Sequence, residues 1–214
     1  MDRFALLPAG RDLPVIYLFA DPDMQEVLSD DRANLVLIQG VDWDRDLTPW
    51  PAPGAFKGQN FSGGAGEFLA EITNSLIPAA EAELGVQNPV RGILGYSLAG
   101  LFALYALYST DAFSLCGCVS GSLWYDGWTD YMAAHPLTRP ARVHLSVGDR
   151  EKKSRNLRMA KVEDCFREAE ALLRDQGAEV TFVLNPGNHF QEHLERQRRA
   201  LDWLLTPSQN KIGG

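Results

Sequence analysis

Residues 98–108 carry no charged side chain and are apolar on every helical face. A helix of that kind is unstable on a surface, so other elements have to enclose it. It follows directly on Gly95-Tyr96-Ser97, which in turn follows the apolar run 90–94, interrupted only by Arg91. A buried strand that turns at once into a buried helix calls for a layered α/β architecture.

The rest of the chain agrees with that reading. Short β-like runs at 15–19, 35–39, 90–94, 115–120, 143–147 and 180–184 alternate with helical patterns, without internal repeats. The runs lack clean polar alternation, as parallel strands covered on both faces should. Apolar residues recur at helical spacing over 67–84, where Pro78 is expected to interrupt or kink the helix. A second helix is expected over 159–176, stopped by Gly177, and a last amphipathic one over 190–205. Between the second strand and the first helix, residues 40–66 form a long connection rich in Trp, Pro, Gly and Asp. Such loops are functional or disordered in most domains, and Trp43, Trp50, Phe56 and Phe61 argue for order.

A chain of 214 residues with 45% hydrophobic and 22% charged residues suits one well-packed domain spanning 1–214. Its formal charge of −8 comes without a basic cluster able to neutralise a phosphate backbone or dock on anionic lipid. Nucleic acid and membrane partners are therefore not expected, and a homo-oligomer is compatible with the sequence. No secretory apolar segment and no run of membrane-spanning length occurs, so a cytoplasmic protein is expected. Cys116, Cys118 and Cys165 lack companion ligands at metal-site spacing and read as buried thiols.

Ser97 sits where the strand gives way to the enclosed helix, flanked by Gly95 and Ala99, which are small enough for strand and helix to approach closely. That is the setting of a nucleophile elbow, although the common second glycine is replaced by Ala99, with Gly100 following. A serine hydroxyl needs a base. Of the four histidines, His135 precedes a proline in a loop, His144 lies inside a strand and His193 inside the last helix. His189 alone follows the final strand, at the sheet edge where open α/β folds gather their active sites.

The acid that orients the histidine should follow the strand 143–147. The sequence there offers Asp149 and Glu151; Glu151 is preferred because the turn after Gly148 can bring its longer side chain back over the strand ends, with Asp149 as the fallback. The chain order of serine, acid and histidine is that of α/β-hydrolases. Oxyanion donors are expected at the backbone of Leu98 and, after the strand 15–19, at Ala20 or Asp21.

With these pieces placed, the chain resembles the putative esterase family of α/β-hydrolases, which includes siderophore trilactone esterases, S-formylglutathione hydrolases and mycolyltransferases. The resemblance is carried by residues 15–19, 45–49, 63–69, 95–104, 120–124, 146–151 and 186–189. It implies a Ser-His-acid esterase that needs no metal or organic cofactor, with Ser97, His189 and Glu151 in the matching positions. By the same resemblance Arg45 and Trp124 would line the substrate pocket; read from the residues alone, Arg45 could equally pair with Asp42 or Asp46, and Trp124 could simply pack.

The expected fold is thus a mostly parallel sheet of six to seven strands with helices on both faces, a reduced N-terminal part and no large cap. Residues 121–140 are too short for a cap, but Trp124, Tyr125, Trp128 and Tyr131 offer an aromatic wall to an open pocket. The glycines at 63–66 read as a tight turn, since neither a preceding strand nor a following Lys-Ser or Lys-Thr marks a nucleotide loop. The expected activity is cleavage of a small carboxylic ester or thioester through an acyl-enzyme on Ser97. The alternatives are acyl transfer by the same serine and a catalytically silent module that binds a ligand or a protein. The global charge favours no anionic substrate, although a local cation such as Arg45 could override it.

Overall fold

A strand covered on both faces is apolar at most positions, and β2 (Val15–Phe19) and β3 (Asn34–Ile38), polar only at Asn34, are buried along their whole length. In the computed structural model, which describes residues 3–19, 28–56 and 58–207, both lie inside one seven-stranded sheet. Its other members are β1 (Phe4–Leu7), β6 (Arg91–Tyr96), β7 (Leu115–Val119), β8 (Arg142–Gly148) and β9 (Glu179–Asn185). The order is β1-β3-β2-β6-β7-β8-β9, parallel except for the antiparallel edge strand β1. Strand succession runs outward from β2 in one direction and resumes at β6 in the other. The carboxyl end of β6 is therefore a switch point, where ligands bind in sheets of this kind.

Successive residues of β2 feed two different cores. Val15, Tyr17 and Phe19 pack in the larger one, with the helices α2 (Ala65–Glu71), α4 (Leu98–Ser109), α5 (Trp128–Ala134) and α6 (Val162–Asp175). Ile16 and Leu18 pack on the opposite face against Ala200, Leu201 and Leu204 of α7 (His193–Leu205). That division is why the sequence shows apolar runs rather than alternation.

Helix α4 is buried at ten positions from Leu98 to Tyr108, enclosed by the sheet and by its neighbouring helices. The pattern over 67–84 is one helical rod in three parts: α2, a π segment at Ile72–Leu76, and α3 (Ile77–Leu84). Pro78, which has no N–H to give to the preceding turn, stands at the start of α3, and the hydrogen bonding widens ahead of it. The last helix begins at His193, three residues later than the pattern suggested, because residues 186–192 are drawn into the site.

The long connection is ordered where it is described. It holds a short helix α1 (Trp43–Asp46) and a hairpin of β4 (Pro51–Pro53) and β5 (Asn60–Ser62). Gly63 turns the chain with φ at +79°, and a Cβ there would meet the Trp50 backbone at 2.4 Å, so the glycines serve a tight turn. Among the described residues no large cap covers the sheet. Cys116 and Cys118 are buried free thiols, whereas Cys165 is only half-buried. Among the described residues no helix is long and apolar enough to cross a membrane.

Candidate active site

Ser97 occupies the turn between β6 and α4 with φ 61° and ψ −124°, a conformation that costs a non-glycine residue about 1–3 kcal/mol. The surrounding backbone holds it there. Its N–H donates to the Val119 carbonyl oxygen at 3.1 Å, and its own carbonyl oxygen accepts from the N–H groups of Ser122, Gly100 and Leu101 at 3.0–3.2 Å. Glycine at 95 is obligatory, because a Cβ there would lie 2.1 Å from the Ala99 carbonyl oxygen. Gly100 performs the second close approach, with its hypothetical Cβ 2.9 Å from Gly121 Cα, so Ala99 in place of glycine costs the elbow nothing. Leu98 opens α4, where first-turn N–H groups have no intrahelical partner and point outward with the helix dipole. Ala20 and Asp21, the expected second oxyanion donors, lie outside the described residues.

The structure brings three of the predicted side chains together in a chain of hydrogen bonds. His189 Nε2 is 3.1 Å from Ser97 Oγ, and His189 Nδ1 is 2.8 Å from Glu151 Oε2. Since the carboxylate can only accept, Nδ1 carries the proton and Nε2 is left to accept from the serine hydroxyl. Glu151 turns back over the strand ends from a 3-10 turn at Glu151–Lys153. Its other oxygen, Oε1, accepts from Ser120 Oγ at 2.8 Å, from the Gly148 N–H at 2.8 Å and from Arg196 Nη1 at 3.1 Å. Burial pushes the Glu151 pKa up, but the hydrogen bond and charge of His189, with the Gly148 and Ser120 bonds, outweigh it. The carboxyl is held below its ordinary value and stays ionised.

Asp149, the alternative acid, is engaged elsewhere. Its Oδ1 accepts from the Gly187 N–H at 2.8 Å, while its own N–H donates to the Asn185 carbonyl oxygen at 2.8 Å and that of Arg150 to the Gly187 carbonyl oxygen at 3.0 Å. These bonds clamp the loop after β8 to the loop after β9, so Asp149 helps to fix the segment that carries His189. The loops touch so closely that a Cβ on Gly148 would lie 2.4 Å from the Gly187 carbonyl oxygen. The Tyr96 hydroxyl donates to the His189 carbonyl oxygen, tying the His189 loop to the residue before Ser97.

Sequence reasoning missed two members of this network, Ser120 and Arg196. Arg196 is fully buried and its guanidinium joins Glu151, Ser120 Oγ at 3.1 Å and the Pro186 carbonyl oxygen at 2.8 Å. The signal was present: Arg196 and Gln197 fall on the same stripe of α7 as Ala200, Leu201 and Leu204, where an apolar residue would be expected. A charge in a core stripe asks for a buried partner.

Beside His189 lies a cleft of about 260 Å³, lined among others by Trp124, Met159, Val162 and Phe190. Trp124 thus faces the site. Arg45 does not line this cleft; its half-exposed guanidinium is taken up by the buried Asp46 at 3.3 Å and the exposed Glu67 at 2.6 Å. The aromatic wall is also smaller than expected. Tyr125 and Trp128 are buried, and Trp50 packs against both and against Tyr131, so these rings anchor the β4–β5 hairpin instead of lining the cleft. Among the described residues no cluster of His, Cys, Asp and Glu could hold a metal ion.

The sequence profile of the family described as Putative esterase matches residues 22–193. The chain belongs to the putative esterase family. Among solved structures, the siderophore hydrolase EstA from Aspergillus nidulans is similar with a TM-score of 0.71 at 21% identity, over 92% of this chain and 84% of that one. An IroE-like serine hydrolase from Shewanella oneidensis gives 0.75 at 20% identity, over 94% of this chain and 73% of that one. The BES protein from Bacillus cereus gives 0.69 at 19% identity, over 96% and 90%. At such identities the likeness carries the α/β fold of these esterases. No curated protein sequence matches this member of the esterase family at a significant level.

Proposed function

We propose that the protein is a serine esterase that cleaves a small carboxylic ester or thioester through an acyl-enzyme on Ser97. The observation that carries this reading is the unbroken chain from Ser97 Oγ through His189 to the buried, ionised Glu151, set on an elbow whose serine has a positive φ.

Each residue has a role that follows from its surroundings. As Ser97 Oγ attacks the ester carbonyl carbon, His189 Nε2 takes its proton, and Glu151 Oε2 stabilises the imidazolium through Nδ1–H. The carbonyl oxygen becomes an oxyanion, for which the Leu98 N–H at the start of α4 is the donor; a second donor would come from Ala20 or Asp21. The imidazolium then gives its proton to the leaving oxygen or sulfur, and the bond to it breaks. Water enters, loses a proton to Nε2 and attacks the acyl carbon, after which the acid leaves and Ser97 regains its hydrogen. Membership of the esterase family supports this reading, and so do structural neighbours named as siderophore and serine hydrolases. No observation favours acyl transfer or a silent binding module over hydrolysis.

The test is hydrolysis of p-nitrophenyl acetate and butyrate, with fluorophosphonate labelling, by the wild type and Ser97→Ala. Label and activity should both depend on Ser97; activity unchanged in the variant, or label on another residue, would sink the proposal. Glu151→Gln should lower kcat by about three orders of magnitude or more, as loss of a triad acid does. Asp149→Asn should cost about tenfold at most, and the reverse ranking would transfer the acid's role to Asp149.

A further inference from the structure

We infer that the cleft beside His189 is a subsite for an anionic leaving group, an apolar or aromatic alcohol bearing a terminal carboxylate that Arg150 and Lys153 neutralise. The inference rests on the esterase reading of Ser97 and His189 and adds the class of substrate.

Arg150 and Lys153 both line the cleft, and among the described residues neither side chain has a hydrogen-bonding or ionic partner. Their backbone is nevertheless fixed, since the Arg150 N–H donates to the Gly187 carbonyl oxygen and the Lys153 N–H to the Arg150 carbonyl oxygen, each at 3.0 Å. Two cations of the neighbouring segment, by contrast, are spent on carboxylates: Lys152 on Glu163 at 2.8 Å and Arg158 on Asp126 at 3.0 Å. Among the described residues, the one carboxylate in the cleft wall, Glu151, has both oxygens committed to His189, Ser120, Gly148 and Arg196. In a chain of net charge −8, two unpaired cations in the wall of one cleft make a local positive field opposite to that of the whole surface.

The remaining walls define the rest of the ligand. Trp124, Met159 and the exposed ring of Phe190 form an apolar floor and rim that suit a hydrocarbon body. Position decides which half of the ester enters. The cleft is lined by His189, which hands its proton to the leaving oxygen, and not by Ser97, which holds the acyl carbon. A group in the cleft is therefore continuous with the leaving oxygen.

A matched pair of substrates tests this: 4-acetoxybenzoate and its neutral analogue methyl 4-acetoxybenzoate, each rate divided by that of hydroxide-catalysed hydrolysis. In the wild type at low ionic strength the kcat/KM ratio should favour the anion by about tenfold, as two partly exposed charge pairs allow. The ratio should fall towards one in Arg150→Ala/Lys153→Ala and in high salt, and invert in Arg150→Glu/Lys153→Glu. A ratio unchanged by these substitutions overturns the subsite. A charge preference confined to the acyl side, seen with p-nitrophenyl hemisuccinate and absent from the benzoate pair, overturns its placement. If no ester is hydrolysed, the esterase reading fails separately. Calorimetric binding of 4-hydroxybenzoate against methyl 4-hydroxybenzoate then still decides: equal affinities, or a difference that survives the double substitution, overturn the subsite.

Discussion

At the scale of single residues, the site separates two carboxylates two positions apart. Glu151 reaches His189 because its extra methylene and the 3-10 turn carry it back across the strand ends, while the shorter Asp149 reaches only the neighbouring loop. His189 on one oxygen does most to keep Glu151 charged in a buried place, Gly148 and Ser120 on the other oxygen add to it, and Arg196 brings a full positive charge to that second side. Replacing Arg196 by Met removes one partner of a buried pair, a change that costs about 3–5 kcal/mol. The Arg196→Met protein should therefore unfold at lower denaturant. Its Glu151 carboxyl, still buried but less compensated, should have a higher pKa, so the acid limb of the kcat/KM profile should move to higher pH. A lower unfolding midpoint with an unmoved acid limb would make Arg196 a structural residue only. Arg196→Lys should restore part of both properties.

At the scale of elements, the β6–α4 unit is the rigid base of the site. Its strand and helix touch through backbone at Gly95 and Ala99, and its helix touches the loop after β7 through Gly100 and Gly121. No side-chain rearrangement can relieve a clash against backbone, so Gly95→Ala should cost about 3 kcal/mol or more and displace the Ser97 turn. Urea unfolding followed by tryptophan fluorescence, with kcat measured on the folded fraction, checks this; a variant of wild-type stability and activity would contradict the packing described. The helix as an element was legible because its sequence is apolar all round, and the strands were legible as short apolar runs. The π segment ahead of Pro78 was legible only as a break. The hairpin at residues 51–62 was not legible, because its order comes from Trp50 and Phe61 packing on Tyr125, residues far away in the chain.

Across the whole molecule, a chain of net charge −8 carries a cleft with two cations, Arg150 and Lys153, that have no partner among the described residues, and buried groups set how the fold responds to acid. His144 lies within β8, nearly inaccessible, and burial, with the Arg199 charge adding, lowers its pKa from 6.5 to about 4. Between those values the unfolded chain binds a proton that the folded chain does not. Stability should thus fall as pH drops from 6.5 towards 4, by at most about 3 kcal/mol from this group. Glu151, whose folded pKa is lowered, adds a loss in the same direction at lower pH, as its carboxylate is protonated. Unfolding in urea at pH 7 and pH 4.5 should show the slope in the wild type and a smaller one in His144→Leu; equal slopes would contradict the role given to His144.

The sequence by itself determined the layered fold and singled out Ser97 at a strand-to-helix turn and His189 after the last strand, because each depends on neighbours within a few positions: apolar periodicity, small residues beside a serine, a histidine directly after a strand. Tertiary structure put Glu151, which the sequence already preferred, against His189 and Asp149 against Gly187, recruited Ser120 and Arg196, withdrew Arg45 and most of the aromatic residues from the cleft, and left Arg150 and Lys153 at its edge without a partner among the described residues. Those outcomes depend on which loops the sheet order brings together, and on which charge finds a partner once they meet. Such distances are set by the packing of strands far apart in sequence, and no local pattern records them.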